Sequence, residues 1–288
     1  MRTILASLCI LALGGSALAD RVEEPPPPPA APKDTGAFTG ERVVLPAKRA
    51  YGRAMLEIEL TKDTAFDPVS FAPDVFYGVT PEFTAGLVHS ASGGTGIIGG
   101  TGSSLCFYDD CDVYNGFGLD GRYHVKGGTV AVAANFGLYA NNIDPFQLAL
   151  KLGMIGRYRP RPSSKLAVDF APALFIGITE REPSEIGATG NKEVFTLPVT
   201  VLYTAMPRLT ALVQLGLLIP FEDAGDLYAV PFSIGASYAV NKQITVEGAF
   251  SLQRLLGGDG GGGGAMGAPG LPTGADARSL TIGGGYAF

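Results

Sequence analysis

Two cysteines near the middle of the chain are spaced for chemistry: Cys106 and Cys111 bracket Phe107-Tyr108-Asp109-Asp110, and Asp112 follows. In an oxidising compartment a pair this close most simply closes a disulfide that pins a small loop. A metal site is the alternative, because three aspartates lie alongside, but it would need histidines and wider spacing. Only two histidines exist, His89 and His124. Hydrolysis needs a positioned base beside a nucleophile. Ser90 follows His89, yet adjacent residues of a strand point to opposite faces, and His124 stands beside Asp120 and Arg122 rather than beside a nucleophile. The glycine run after Gly257 lacks the lysine and the following helix of a phosphate-cradling loop, so it reads as a low-complexity surface loop. No catalytic residue, metal or cofactor is expected.

The elements that carry these residues are strands. The chain holds 41 glycines among 288 residues, far more than helices tolerate. Its net charge of −6 gives no basic excess for a nucleic-acid partner. Arg2, the apolar run Ile4 to Leu13 and Ala17-Leu18-Ala19 have the order of a cleaved signal peptide over 1-19, with Cys9 inside the apolar run rather than at a lipidation position. Residues 20-50 contain Glu23-Glu24 and Pro25 to Pro29 and read as an extended proline-rich periplasmic linker. Such a linker can hang free, bind a periplasmic partner or fold back into the domain that follows.

From Tyr51 onward apolar and polar residues alternate with period two. Ile244, Val246, Gly248, Phe250 and Leu252 oppose Thr245, Glu247, Ala249, Ser251 and Gln253; Phe146, Leu148, Leu150, Leu152 and Met154 oppose Gln147, Ala149, Lys151 and Gly153. Twelve such segments are predicted, near 52-61, 70-79, 82-90, 113-125, 129-140, 146-158, 165-178, 193-204, 208-219, 227-239, 242-253 and 278-288. Most approach the ~9–11 residues that a tilted strand needs to cross the hydrocarbon layer. After every second strand the connection is short, and apart from 141-145 the others are longer, as in barrels with short turns on one side of the membrane and long loops on the other. Pro73, Pro172, Pro198 and Pro231 fall inside these strands and count against them, because each removes a ladder donor.

The terminal strand carries a resemblance. Leu280, Ile282, Gly284, Tyr286 and Phe288 alternate to an aromatic carboxyl-terminal residue, and this resembles the assembly signal of bacterial outer-membrane β-barrel proteins. The resemblance implies an all-β fold, a transmembrane antiparallel up-and-down barrel over 51-288 in the outer membrane of a Gram-negative cell. It also implies lipid around the barrel and recognition of Tyr286 and Phe288 by the barrel-assembly machinery. Trp is absent, so an interfacial girdle must use residues such as Tyr77, Tyr123, Tyr203, Tyr228 and Tyr238. A soluble exported β-sandwich is the competing fold.

Parity then places Glu57, Glu59, Asp74, Asp120, Arg122, His124, Lys151, Arg157, Asp169 and Glu247 on the inner face. Charges inside a barrel are tolerated in water or in pairs. Two readings follow: a small porin-like channel for polar solutes, or a closed structural barrel that acts through its loops or its proline-rich segment.

Overall fold

The structure, a computed structural model, describes residues 43–60, 69–98, 105–106, 114, 116–182, 190–222, 224–225, 227–258 and 278–288. Twelve strands follow one another in antiparallel order: β1 (Ala50–Glu59), β2 (Val69–Gly78), β3 (Phe83–Val88), β4 (Phe117–Lys126), β5 (Val130–Asn142) and β6 (Gln147–Tyr158). The second half comprises β7 (Leu166–Phe170 and Ala173–Gly177), β8 (Val194–Thr196 and Val199–Met206), β9 (Leu209–Leu215 and Leu218–Pro220), β10 (Ala229–Ala239), β11 (Ile244–Gly257) and β12 (Arg278–Ala287). Each strand pairs with its sequence neighbours, and β12 pairs with β1 from Tyr51↔Ala287 to Glu59↔Ser279, closing the ring. Closure is what lipid demands, since an open edge would leave backbone donors and acceptors without partners.

Burial alternates as the sequence does. Along β2, Ser70, Ala72, Asp74 and Phe76 are buried inward while Val75 and Tyr77 are exposed outward. Leu119, Leu152, Val213 and Ile234 likewise face out, giving an apolar exterior much larger than a water-soluble domain presents. This rules out the sandwich, in which the apolar faces would be the interior.

The prolines are accommodated in a seam. Pro172 and Pro198 interrupt β7 and β8, Gly216-Leu217 interrupts β9, and Pro231 sits at a register shift in β10. These four breaks adjoin one another across the strands, and each proline carbonyl still accepts from its neighbour: Met154 N–H to Pro172 O at 3.0 Å, Ala171 N–H to Pro198 O at 3.2 Å and Gly216 N–H to Pro231 O at 2.8 Å. The missing donors are therefore concentrated where the ladder is already irregular. Pro73 lies beyond the β2–β3 pairing, which starts at Val75↔Leu87, and its carbonyl instead lies 2.5 Å from His89 Nδ1.

At the short-turn rim six strands each present an exposed tyrosine: Tyr77, Tyr123, Tyr158, Tyr203, Tyr238 and Tyr286. Tyr228, also expected at a membrane interface, stands at the opposite rim, because β10 runs from the long-loop end toward the short-turn end. Strand β1 begins at Ala50, and Val43, Val44 and Leu45, from the end of the stretch expected to be a linker, are buried.

Candidate functional site

The interior is crossed by a strap. After β3 the chain turns inward at Ser90, forms a single helical turn (α1, Ala91–Thr95) and runs on to Ile98. Its root is fixed by Asp74, whose Oδ1 accepts the N–H groups of His89 (2.8 Å) and Ser90 (2.9 Å). The other carboxylate oxygen accepts the Ser90 hydroxyl at 2.5 Å and the Arg53 guanidinium at 2.6 Å. Ser90 also caps the turn, accepting the Gly93 N–H at 2.8 Å.

The far end of the strap docks on the opposite wall. Gln214 of β9 accepts the Ile98 N–H at 2.6 Å and donates to the Gly96 carbonyl at 2.8 Å and to Thr200 Oγ1 at 2.7 Å. Ser233 of β10 donates to the Ile98 carbonyl at 2.7 Å, with Ser251 of β11 at 3.2 Å from the same oxygen. Gly96 has φ +76°, and a Cβ there would lie 3.0 Å from Pro198 and 3.2 Å from Ala171, so glycine is required both by the backbone and by the seam beneath it.

The docking residues belong to a continuous inward polar ladder. Arg157 pairs with Asp169, Asp169 with Thr200, Thr200 with Gln214, Gln214 with Ser233, Ser233 with Ser251, Ser251 with Ser279 and Ser279 with Glu59. At one end Arg157 holds Asp169 with two 2.6 Å bonds; at the other, Glu57 and Glu59 accept from Gln253.

A second charged group lies on the wall between strap and ladder. Asp120 accepts from Arg122 Nε (3.1 Å), Asn135 Nδ2 (2.8 Å), Tyr139 Oη (2.8 Å) and Lys151 Nζ (3.1 Å). Arg122 stacks over the Phe76 ring at 4.5 Å. Three strands thus converge on one carboxylate, which offsets the cost of holding it away from bulk water. Arg53, Arg122, Asn135 and Lys151 line a cavity of about 230 Å³ together with the strap, Asp169 and Gln214.

All ten residues assigned to the inner face by parity lie on the inward side of their strands. Asp74 and Arg53 sit at the strap root, and Glu247 reaches Arg53 at 3.8 Å. Asp120, Arg122 and Lys151 form the wall cluster, Arg157 and Asp169 pair, and Glu57 and Glu59 share Gln253. His124 is apart from these groups, toward the short-turn rim, its Nδ1 buried and without a hydrogen-bond partner among the described residues. His89 faces out, its Nε2 3.2 Å from the Tyr114 hydroxyl. The sequence reading missed Arg53, Asn135, Tyr139 and Gln214, each at inward parity. It also missed the strap, because Ser90-Ala91-Ser92-Gly93-Gly94 reads as an open surface loop. The Cys106–Cys111 disulfide, the leader over 1-19, the polyproline run and the glycine run from Asp259 lie wholly or partly outside the described residues; Cys106 is placed by its pairing with Ser70.

The short-turn mouth is occupied by chain. Val43 and Val44 cluster with Ala133 and Ile155, Leu45 belongs to the apolar cluster that contains Tyr51 and Phe76, and the Leu45 N–H donates to Thr84 Oγ1 at 2.8 Å.

Similarity to solved proteins is confined to architecture. The structure is similar to that of the KdgM porin in complex with disordered oligogalacturonate, with a TM-score of 0.54 and 11% identity over 83% of this chain and 99% of that one. It is similar to the KdgM porin in a second structure at a TM-score of 0.52, with the same identity and coverage. No protein-family model and no curated protein sequence matches the chain. The fold is that of these porin structures, here a closed barrel of twelve antiparallel strands.

Proposed function

We propose that this protein is a narrow outer-membrane channel for small polar solutes, its bore set by the strap. The observation that carries the proposal is the cavity of about 230 Å³ between the strap and the wall, into whose partly apolar lining Arg53, Arg122, Lys151 and Gln214 bring polar and charged groups. A merely structural interior would fill that space with side chains, as the smallest barrels do. The porin architecture of similar proteins supports the same reading. On this view residues 1-19 are a cleaved export signal, Cys106 and Cys111 pin the loop beyond the strap, and Tyr286 and Phe288 present the last strand to the assembly machinery.

A closed barrel is the second reading, and Val43 to Leu45 favour it, because they place apolar side chains in the lumen at the short-turn end. The residues upstream of them would then serve a periplasmic partner. Planar-bilayer recording separates the two. The full chain, shown to be folded by its faster gel mobility before boiling, is expected to give discrete conductance steps at neutral pH. Silence from the folded full chain together with steps from a chain lacking 20-45 would instead establish the plugged barrel.

A further inference from the structure

The two rims are oppositely charged. Among the described residues, the long-loop rim carries Asp144, Glu180, Glu182, Glu193 and Glu222 against Arg181 and Lys192. At the short-turn rim the order is reversed. Lys126, Arg159, Arg161, Lys165, Arg208 and Lys242 stand there with Lys48 and Arg49, and Glu82 is the one acidic residue of those turns. Except for half-buried Arg159, these cations are exposed, and none of them forms a salt bridge among the described residues.

Their depth is set by an independent feature. The tyrosine girdle lies at the same rim, and tyrosine locates at the level where acyl chains meet headgroups. Lys126 comes three residues after Tyr123 and Lys242 four after Tyr238, while Arg159, next to outward Tyr158, continues the ladder with its side chain on the opposite face. A strand residue advances about 3.3 Å, so on tilted strands these cations emerge within one headgroup layer of the tyrosines. Arg208 contacts only the Val240 carbonyl (3.3 Å), which leaves its charge uncompensated, whereas Arg49 reaches the terminal Phe288 oxygen at 3.4 Å.

We infer that the short-turn rim is a binding surface for anionic phospholipid headgroups, the cations engaging phosphates of the leaflet in which the tyrosine girdle is seated. Guanidinium and ammonium groups on both sides of the barrel give a collar rather than a single pocket, so the ligand class is a lipid phosphodiester with net negative charge, such as phosphatidylglycerol. The acidic opposite rim repels the same headgroups, which gives the barrel a preferred orientation relative to an anionic leaflet.

The test uses the full chain in phosphatidylcholine bilayers with and without phosphatidylglycerol, and spin-labelled lipids to measure which one the barrel retains. Each interfacial cation favours an adjacent anionic headgroup about five-fold. Averaged over the lipid ring, a preference of roughly two-fold or more for phosphatidylglycerol is expected, and it should vanish at high salt. The variant Arg159→Gln/Arg161→Gln/Lys165→Gln/Arg208→Gln/Lys242→Gln should fold, as read by heat-modifiable gel mobility in pure phosphatidylcholine, and should lose the preference. Substituting Arg181→Gln and Lys192→Gln at the other rim should leave it intact. Equal preference in the five-site variant would overturn the inference. So would binding of soluble inorganic tripolyphosphate by the wild type in phosphatidylcholine together with no preference for phosphatidylglycerol, which would assign the rim to a soluble polyanion instead.

Discussion

Replacing Gln214 by alanine probes the strap most directly. Its side chain makes two hydrogen bonds to strap backbone, from the Ile98 N–H at 2.6 Å and to the Gly96 carbonyl at 2.8 Å, and the residue is 2% exposed. Each such bond is worth about 0.5–1.5 kcal/mol net, so the variant should weaken docking by about 1–3 kcal/mol. That is a factor of roughly 5 to 150 in the ratio of docked to released strap. Ser233 and Ser251 still hold the Ile98 carbonyl, so the strap is expected to flicker rather than to leave. Single-channel recording should show new brief transitions to a larger conductance. Adding Ser233→Ala and Ser251→Ala should lengthen those openings. Barrel stability should change little, because the cross-strand backbone pairs Thr200↔Gln214 and Gln214↔Ser233 do not depend on the side chain. Traces from the folded triple variant that match the wild type in amplitude and gating would refute the idea that the strap sets the bore.

Two further outcomes follow from the charged groups. Asp120→Asn leaves Arg122 and Lys151 without their shared carboxylate, and losing one member of a buried ion pair costs about 3–5 kcal/mol, so urea unfolding followed by gel mobility should shift to markedly lower denaturant. At the long-loop rim the hydrogen bond from Arg181 holds the Glu193 carboxyl below its ordinary value, with the Arg181 Nη1–Oε1 contact at 2.7 Å. Because that pKa is depressed on folding, the bond's contribution is present above the unfolded glutamate value and lost as pH falls through the folded one. Amide exchange at Asn191, whose N–H is bonded to the Glu180 carbonyl, should therefore accelerate on acidification below about pH 4 and be insensitive to pH between 6 and 8 once corrected for intrinsic exchange.

Some of this molecule was legible in its residues alone. The alternation of Ile244 to Gln253, the spacing of turns and the terminal Tyr286 and Phe288 are local features, and period-two geometry converts them directly into strand number, inward and outward faces, and a long-loop rim. The inward placement of Asp120 or Lys151 needs nothing more. Their meeting does, because it depends on the register of β4, β5 and β6, which no single strand specifies. Arg53 was overlooked on β1 although its parity matches that of Glu57, and which rim Tyr228 occupies is decided by strand direction rather than residue type. The strap is the extreme case. Its glycine- and serine-rich sequence has no hydrophobic pattern, and its contacts to Gln214 and Ser251 span more than a hundred residues of chain. Only a closed ring brings β9 and β11 opposite Asp74, so the sequence by itself determined the wall, and the tertiary structure decided what crosses the space inside it.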